Sequence, residues 1–139
     1  METKKYLSLD DLRIYQEAMS IGKRVWDCVV VWSYFEKDTL GKQLVRAADS
    51  IALNIAEGYG RFSYNENRQF CRYARGSLLE TKACLQKAIE RNLIAEDEAN
   101  IIINDLSKLH LHLNNYMKII GNIPPTVADK SIMADDSQK

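Results

Sequence analysis

No proline occurs among the first 123 residues of this 139-residue chain, and both prolines lie together at positions 124 and 125. Proline fixes φ and has no backbone N–H, so it interrupts helices, and a chain without it is free to form long ones. Glycine, the other helix breaker, is scarce as well, with six in total. The rarity of helix-breaking residues therefore favours an all-helical protein.

Apolar residues recur at steps of three and four in two long blocks of the first half of the chain, which is the spacing of one helix face. The first block predicts a helix from Leu9 to Trp32 with Met19 on its apolar stripe, and Ser8 can cap its free amides. The pattern breaks at 33–38. The second block predicts a helix whose apolar stripe runs from Leu40 to Phe62.

Two more helices are predicted in the second half of the chain. Ser63-Tyr64-Asn65-Glu66 has the S-x-x-E form of a helix start, and the helix that follows is predicted to end at Arg91-Asn92. The fourth opens with the acidic run 96–98, which suits the positive end of a helix dipole, and stops at Gly121 and the two prolines. Because short links reverse the chain direction, the predicted fold is all-α, an antiparallel up-down-up-down four-helix bundle.

This pattern divides the chain into an N-terminal extension at 1–8, the four-helix bundle at 9–121 and a C-terminal tail at 122–139. The tail has few residues suited to a core, so we expect it to be flexible. The longest apolar run, Cys28–Trp32, is far too short to cross a membrane. Because the N-terminus is polar and no secretory signal follows it, we expect a cytoplasmic protein.

Candidate catalytic and metal-binding groups are few. His110 and His112 diverge by about 200° on a helix, and neither follows a carboxylate by three residues, as the ligands of di-iron bundles do. Cys28, Cys71 and Cys84 lack CxxC spacing and lie inside helical patterns, so we interpret them as reduced core or boundary residues. The sequence therefore predicts no enzyme activity, no metal and no cofactor.

Six polar side chains of the second predicted helix fall on one strip beside its apolar stripe. They are Gln43, Arg46, Ser50, Asn54, Glu57 and Arg61. Serine and asparagine lower helix propensity by about a few tenths of a kcal/mol, which suggests that they have partners. Two interpretations have equal weight for Arg46, Ser50, Asn54 and Glu57: a hydrogen-bonded seam inside the bundle, or an oligomer interface.

Four cations of the third predicted helix lie within about 80° of one another, with no acidic residue among them. This basic face consists of Arg68, Arg72, Arg75 and Lys82. Residues 41–91 hold nine Lys or Arg and five Asp or Glu, a net charge of +4 within a chain whose formal total is zero. Arginines on a helix face suit phosphate oxygens, and an ordinary solvated or salt-bridged face is the competing interpretation.

Three further residues bear on a nucleic-acid site. Lys42 and Arg61 are candidate auxiliary cations for phosphate binding. Tyr73 is the one aromatic residue near the basic face that could stack on a base, but we expect it in the core.

A run of residues in the second and third predicted helices is similar to the signature of a known protein family. The family comprises bacterial four-helix bundle proteins encoded in 23S ribosomal RNA intervening sequences, often labelled S23 ribosomal proteins. The run is Gln43-Leu44-x-Arg46-Ala47-Ala48-x-Ser50-Ile51-x-x-Asn54-Ile55-Ala56-Glu57-Gly58-x-Gly60-Arg61, then Phe70, then Ala74-x-Gly76-Ser77-x-x-Glu80. One departure is the first interhelical link, where the family has a Phe-Pro pair and this chain has Tyr34-Phe35-Glu36.

This resemblance implies a cytosolic subunit of a ring-shaped homopentamer, with no catalytic residues and with a basic surface that meets RNA or DNA. It also implies a nucleic-acid enzyme such as a reverse transcriptase as a partner, because similar bundles are accessory proteins of diversity-generating retroelements. Two hypotheses follow. The protein is an oligomeric, non-enzymatic nucleic-acid-binding accessory factor, or it is a protein-binding scaffold or adaptor whose basic face is merely solvated.

Overall fold

The computed structural model describes residues 8–121, and four long α-helices account for most of this range, with no β-strand in it. The helices are α1, Arg13–Val29; α2, Lys42–Tyr59; α3, Tyr64–Glu90; and α4, Glu96–Ile119. The all-α prediction is confirmed for these residues. The predicted tail at 122–139, and positions 1–7 of the predicted extension, lie outside the described part of the chain.

The four helices pack so that each contacts two others: α1 and α3 both pack against α2 and α4. Between α1 and α4, rising residue numbers pair with falling ones, in Glu17–His112, Arg24–Asp105 and Cys28–Glu98. The antiparallel up-down-up-down order stays a prediction, with which these contacts agree. In this arrangement α1 and α3 lie across the bundle from each other.

A side-chain cap marks the start of α3, and a left-handed residue marks its end. The hydroxyl of Ser63 accepts hydrogen bonds from the backbone N–H groups of Asn65 and Glu66, at 3.1 and 3.3 Å. These bonds satisfy amides that have no partner within the helix. At the other end, Asn92 takes a left-handed conformation with φ of 62°, as a residue that ends a helix often does. Both predicted limits of α3 are confirmed to within a residue or two.

The chain between α1 and α2 differs from its prediction. We expected a break at 33–38, but a helical turn at Tyr34–Glu36 leads through a π-helical turn at Lys37–Gly41 directly into α2. Ser33 and Glu36 cap each other's backbone N–H groups, at 3.1 and 3.4 Å. The apolar pattern missed this turn because Tyr34 and Phe35 are exposed, so no stripe marks it.

Other predicted limits of the first helix shift as well. Ser8 caps a short 3-10 turn at Leu9–Asp11, and α1 proper begins only at Arg13 and ends at Val29. Gly41 then lies tightly against α1, because a Cβ atom there would lie 2.8 Å from the Cγ1 atom of Val29. The π-helical turn therefore brings the start of α2 into close contact with the end of α1.

Aliphatic side chains from all four helices fill the core, and their removal from water is the main favourable term in folding. Fully buried members include Ile21, Val25, Leu44, Ile51, Leu78, Leu85, Leu106 and Leu113. Two residues assigned to the predicted stripes, Met19 and Phe62, are exposed instead. In α1 the buried face consists of Ile14, Ala18, Ile21, Gly22, Val25 and Val29.

A buried polar pair joins α3 to α4. The side-chain amide of Asn67 donates a hydrogen bond to the Tyr116 hydroxyl, 3.1 Å away. Burial raises the pKa of Tyr116, so its hydroxyl stays protonated and uncharged in the core. Gly58 of α2 meets the same region, because a Cβ atom there would lie 2.7 Å from the Oδ1 atom of Asn67. Glycine at position 58 thus allows α2 and α3 to approach closely.

Candidate nucleic-acid interface

The arginines of the basic face are held by neutral oxygen atoms. Nε of Arg68 donates to the carbonyl oxygen of Met117 in α4 at 3.1 Å, and Nη1 of Arg75 donates to the Oδ1 atom of Asn114 at 2.7 Å. Nη1 of Arg72 donates to the Oε1 atom of Gln69 at 3.2 Å. These bonds orient three guanidinium groups while leaving their charge uncompensated.

No carboxylate in residues 8–121 forms an ion pair with the four cations of the basic face. A guanidinium group has five N–H donors, so each arginine that donates one or two hydrogen bonds keeps others for a ligand. Arg72 is exposed, whereas Arg68, Arg75 and Lys82 are half-buried along α3. The face can therefore present oriented, uncompensated cations to an anion.

The two auxiliary cations have carboxylate partners. Nζ of Lys42 lies 3.2 Å from the Oδ1 atom of Asp38, and Nη2 of Arg61 lies 2.8 Å from the Oε2 atom of Glu57. Both pairs are solvent-exposed i,i+4 pairs, which are weak. An anion would have to compete with these carboxylates, so Lys42 and Arg61 are weaker candidates than the arginines of α3.

The polar strip of α2 lies on the surface of the single chain. Gln43 reaches another helix, donating to the Oε2 atom of Glu80 at 3.4 Å. Asn54 donates to the carbonyl oxygen of Ser50 in its own helix at 2.9 Å. Arg46 is exposed, and the Glu57 side chain is 53% exposed. Among residues 8–121 these side chains form no continuous interhelical seam, and their place in an oligomer interface stays a prediction.

Tyr73 is half-exposed on α3, so our expectation that it belongs to the core is wrong. Its ring meets Phe70 edge to face, with ring centroids 5.4 Å apart and an interplanar angle of 89°. The guanidinium group of Arg61 lies over Phe70, 4.9 Å from the ring centroid. The Nε atom of Arg61 is buried and has no hydrogen-bond partner among the described residues. Sequence periodicity did not reveal this arrangement of two rings and a cation.

An apolar groove runs between α1 and α2, and sequence reasoning missed it. Two adjoining cavities of about 290 and 400 Å³ share the side chain of Trp26. The groove's exposed apolar side chains are Met19, Trp26, Val30 and Leu53. Asp49 also lines it, and burial raises the pKa of this carboxyl group. Periodicity assigned Met19 to the core because it could not distinguish a second apolar face from the first.

The cysteines lie where the sequence predicted. Cys71 and Cys84 are buried and Cys28 is half-buried, and all three thiols are free. Burial raises the pKa of Cys71 to about 12 and that of Cys28 to about 11, so these thiols stay protonated at neutral pH. A protonated thiol is a poor nucleophile and a poor metal ligand.

The described residues hold neither a cluster of metal ligands nor a helix suited to span a membrane. No group of three or more His, Cys, Asp or Glu side chains in residues 8–121 is arranged to hold a metal ion. None of the helices in this range is both long enough and apolar enough to cross a membrane.

Comparisons with known proteins place these features in a family context. The family model described as 23S rRNA-intervening sequence protein matches residues 10–115. The fold resembles the crystal structure of a protein with unknown function from the S23 ribosomal protein family of Bacteroides thetaiotaomicron VPI-5482. That match has a TM-score of 0.68 at 20% identity, and covers 76% of this chain and 98% of the other. Curated proteins gave no significant match.

Proposed function

Because this chain belongs to the 23S rRNA-intervening sequence protein family, we propose that it is a non-enzymatic, oligomeric accessory factor that binds RNA or DNA through the basic face of α3. The observation that carries the proposal is the set of partners of Arg68, Arg72 and Arg75. All three donate to neutral oxygen atoms, so their charge is available to phosphates.

The spacing of these cations suits a phosphate backbone. Arg68 and Lys82 are fourteen residues apart, about 21 Å along a helix. A face of that length can reach several phosphates of one single strand at the same time. Phosphate contacts carry no sequence information by themselves, so weak sequence preference is expected.

Association between copies of the chain is part of the proposal, with the pentamer of the family resemblance as the expected assembly. The apolar groove between α1 and α2 supports it, because exposed Trp26, Met19 and Leu53 gain from burial against a second copy. The chain's formal net charge of zero adds no long-range repulsion between copies. Several basic faces on one assembly would raise affinity by avidity.

The test compares two triple variants that lose the same charge. One is Arg68→Gln, Arg72→Gln, Arg75→Gln on α3. The control is Arg13→Gln, Lys23→Gln, Arg24→Gln on α1, where each cation has a carboxylate partner. Binding of fluorescent single-stranded RNA and DNA is titrated by anisotropy, after the oligomeric state and thermal stability of each variant are checked.

We expect the α3 variant to lose at least about tenfold in affinity at low salt, because removing phosphate contacts removes counterion release. The α1 control should bind within about twofold of wild type, because its cations are already compensated. Equal binding by both variants and wild type would contradict the proposal.

The second candidate function is a protein-binding scaffold or adaptor without a nucleic-acid role. The apolar groove favours it independently of the basic face, since exposed aromatic and aliphatic side chains suit a protein partner. If the wild-type protein binds neither RNA nor DNA, the result supports the scaffold function over the nucleic-acid function. For the accessory role, a nucleic-acid enzyme such as a reverse transcriptase is the proposed class of protein partner.

A further inference from the structure

We infer that the chain's own C-terminal segment, residues 130–136, binds the apolar groove between α1 and α2 and competes there with a second copy. The inference rests on the proposed association of copies and adds its regulation, because a filled groove is closed to a neighbour. The segment lies outside the described residues. It is identified by where the described chain stops, by the charges of the groove and by its own order of side chains.

The described chain stops at Gly121, within reach of the groove. α4 ends beside the start of α1, because Ile119 and Ile14 line the same small cavity. Gly22, which lines the groove, lies eight residues further along α1, or about 12 Å. Lys130 follows Gly121 by nine residues, which can span about 30 Å. The chain is therefore long enough to cross the width of α1, about 10 Å, and enter the groove.

Asp49 gives the near end of the groove a negative charge without a partner. No ion pair or hydrogen bond engages its side chain within residues 8–121. Its Oδ1 atom lies over Gly22 of α1, 3.1 Å from where a Cβ atom would be. Met19 and Trp26 line the same cavity. A carboxylate among apolar side chains suits a lysine, whose carbon chain covers apolar surface while its ammonium group pairs with the acid.

Lys37 gives the far end of the groove a positive charge. It lines the cavity beyond Trp26 and has no carboxylate partner among the described residues. The other lysines that line the groove, Lys23 and Lys42, do have carboxylate partners. An occupant that matches both unpaired charges carries a cation at one end, an acid at the other and apolar side chains between them.

The C-terminal segment has this order of side chains. It runs Lys130-Ser131-Ile132-Met133-Ala134-Asp135-Asp136. When it enters from the end of α4, its lysine comes level with Asp49, its apolar pair meets Trp26 and its two acids come level with Lys37. The charges match in one direction only, and that direction is the one set by the end of α4.

Because the segment is tethered to its site, few contacts suffice to hold it there. Segments joined by short linkers act at effective concentrations of about 1 mM. Even a weak contact, with a dissociation constant of about 0.1 mM, would then fill the groove in about nine chains of ten. A second copy would meet mostly filled grooves, so its apparent affinity would fall about tenfold.

The test uses the full chain and measures acrylamide quenching of tryptophan fluorescence together with mass by light scattering. Trp26 reports on the groove because it is 53% exposed, whereas Trp32, the other tryptophan, is buried. Both quantities are measured over a series of protein concentrations, and quenching is compared at the lowest one, where association between copies is least.

Two double variants are compared with wild type. Ile132→Ser, Met133→Ser removes the apolar pair, and Ser137→Ala, Gln138→Ala is the control outside the segment. We expect the first variant to increase quenching at least about twofold and to self-associate at about tenfold lower protein concentration, because its groove is open. The control should match wild type in both measurements.

Charge reversal tests the pairing of Lys130 with Asp49. Lys130→Glu and Asp49→Lys should each increase the quenching of Trp26. The double variant should return to the wild-type value, because the pair forms again with its charges exchanged. A general disturbance of the fold would not be reversed by the second substitution, so a double variant that is quenched as strongly as the single ones would overturn the pairing.

The remaining outcomes separate this inference from the association on which it rests. Unchanged quenching after loss of the apolar pair would overturn the inference, and the association would stand on the measured mass of wild type. Increased quenching with a loss of mass would mean that the segment binds the groove of a neighbouring copy, which would overturn the competition. A wild type that is monomeric at every concentration would contradict the association, while increased quenching would still support binding of the segment.

Discussion

At the scale of single residues, the cations fall into two groups according to their partners, which are either carboxylates or neutral oxygen atoms. Arg24 and Arg61 face carboxylates, whereas Arg68 and Arg75 donate to a backbone carbonyl and a side-chain amide of α4. Side-chain spacing predicted that Arg68 and Arg75 share a face, because helical periodicity follows from the sequence alone. The acceptors could not be predicted, because Asn114 and Met117 come within reach only after α4 packs against α3.

Substitution of Glu57 tests whether the polar strip is buried by another copy. In the single chain its carboxylate is exposed and pairs with Arg61, so Glu57→Ala should lower the free energy of unfolding by less than about 1 kcal/mol. Chemical denaturation measures the change. A loss of about 3 kcal/mol or more would contradict an exposed pair and would mean that a neighbouring subunit buries it.

At the scale of helices, the cap at Ser63 predicted a helix start correctly, whereas the cap at Ser8 precedes only a 3-10 turn and α1 begins at Arg13. Ser63 predicted the start of α3 because an S-x-x-E run requires only local geometry. The same form at Ser33-Tyr34-Phe35-Glu36 signals a helical turn, but the missing apolar stripe led us to expect a break. The π-helical turn at Lys37–Gly41 depends on the close packing of Gly41 against α1, which no local pattern encodes.

Two glycine substitutions test how closely α2 and α3 pack. A Cβ atom at Gly58 would lie less than 3 Å from atoms of Asn67 and Phe70, so Gly58→Ala should destabilise the fold by about 1–3 kcal/mol. Gly76→Ala is the matched control, in an open position of α3, and should stabilise by about 0.5–1 kcal/mol. Thermal and chemical denaturation of both variants measure the changes. A neutral or stabilising effect of Gly58→Ala would contradict the close helix packing.

At the scale of the whole molecule, basic and apolar surfaces lie on different sides of the bundle. The basic face belongs to α3, whereas the apolar groove lies between α1 and α2, and α1 lies across the bundle from α3. Association through the groove would therefore leave the basic face accessible. Periodicity could predict one buried face per helix, but it could not predict which further apolar residues remain exposed once the helices pack.

Trp26→Glu tests self-association through the groove. The tryptophan is 53% exposed and lines both cavities, so a charge there should disfavour burial against a second copy and shift the protein toward a 16.0 kDa monomer. Ile101→Glu on α4 is the control, because Ile101 is 54% exposed and lies outside the groove. Size-exclusion chromatography with light scattering measures the mass. A monomeric wild type at micromolar concentration would contradict the assembly.

The most direct test of phosphate binding by α3 is the salt dependence of single-stranded RNA binding. Each phosphate contact contributes about −0.7 to the slope of log K against log salt concentration. If one subunit engages the RNA, Arg68, Arg72, Arg75 and Lys82 together predict a slope of about −2.8. Replacing the three arginines with glutamine should make the slope less steep by about 2, while the α1 control triple variant keeps the wild-type slope. Identical slopes for all three proteins, or no salt dependence in wild type, would contradict the central claim.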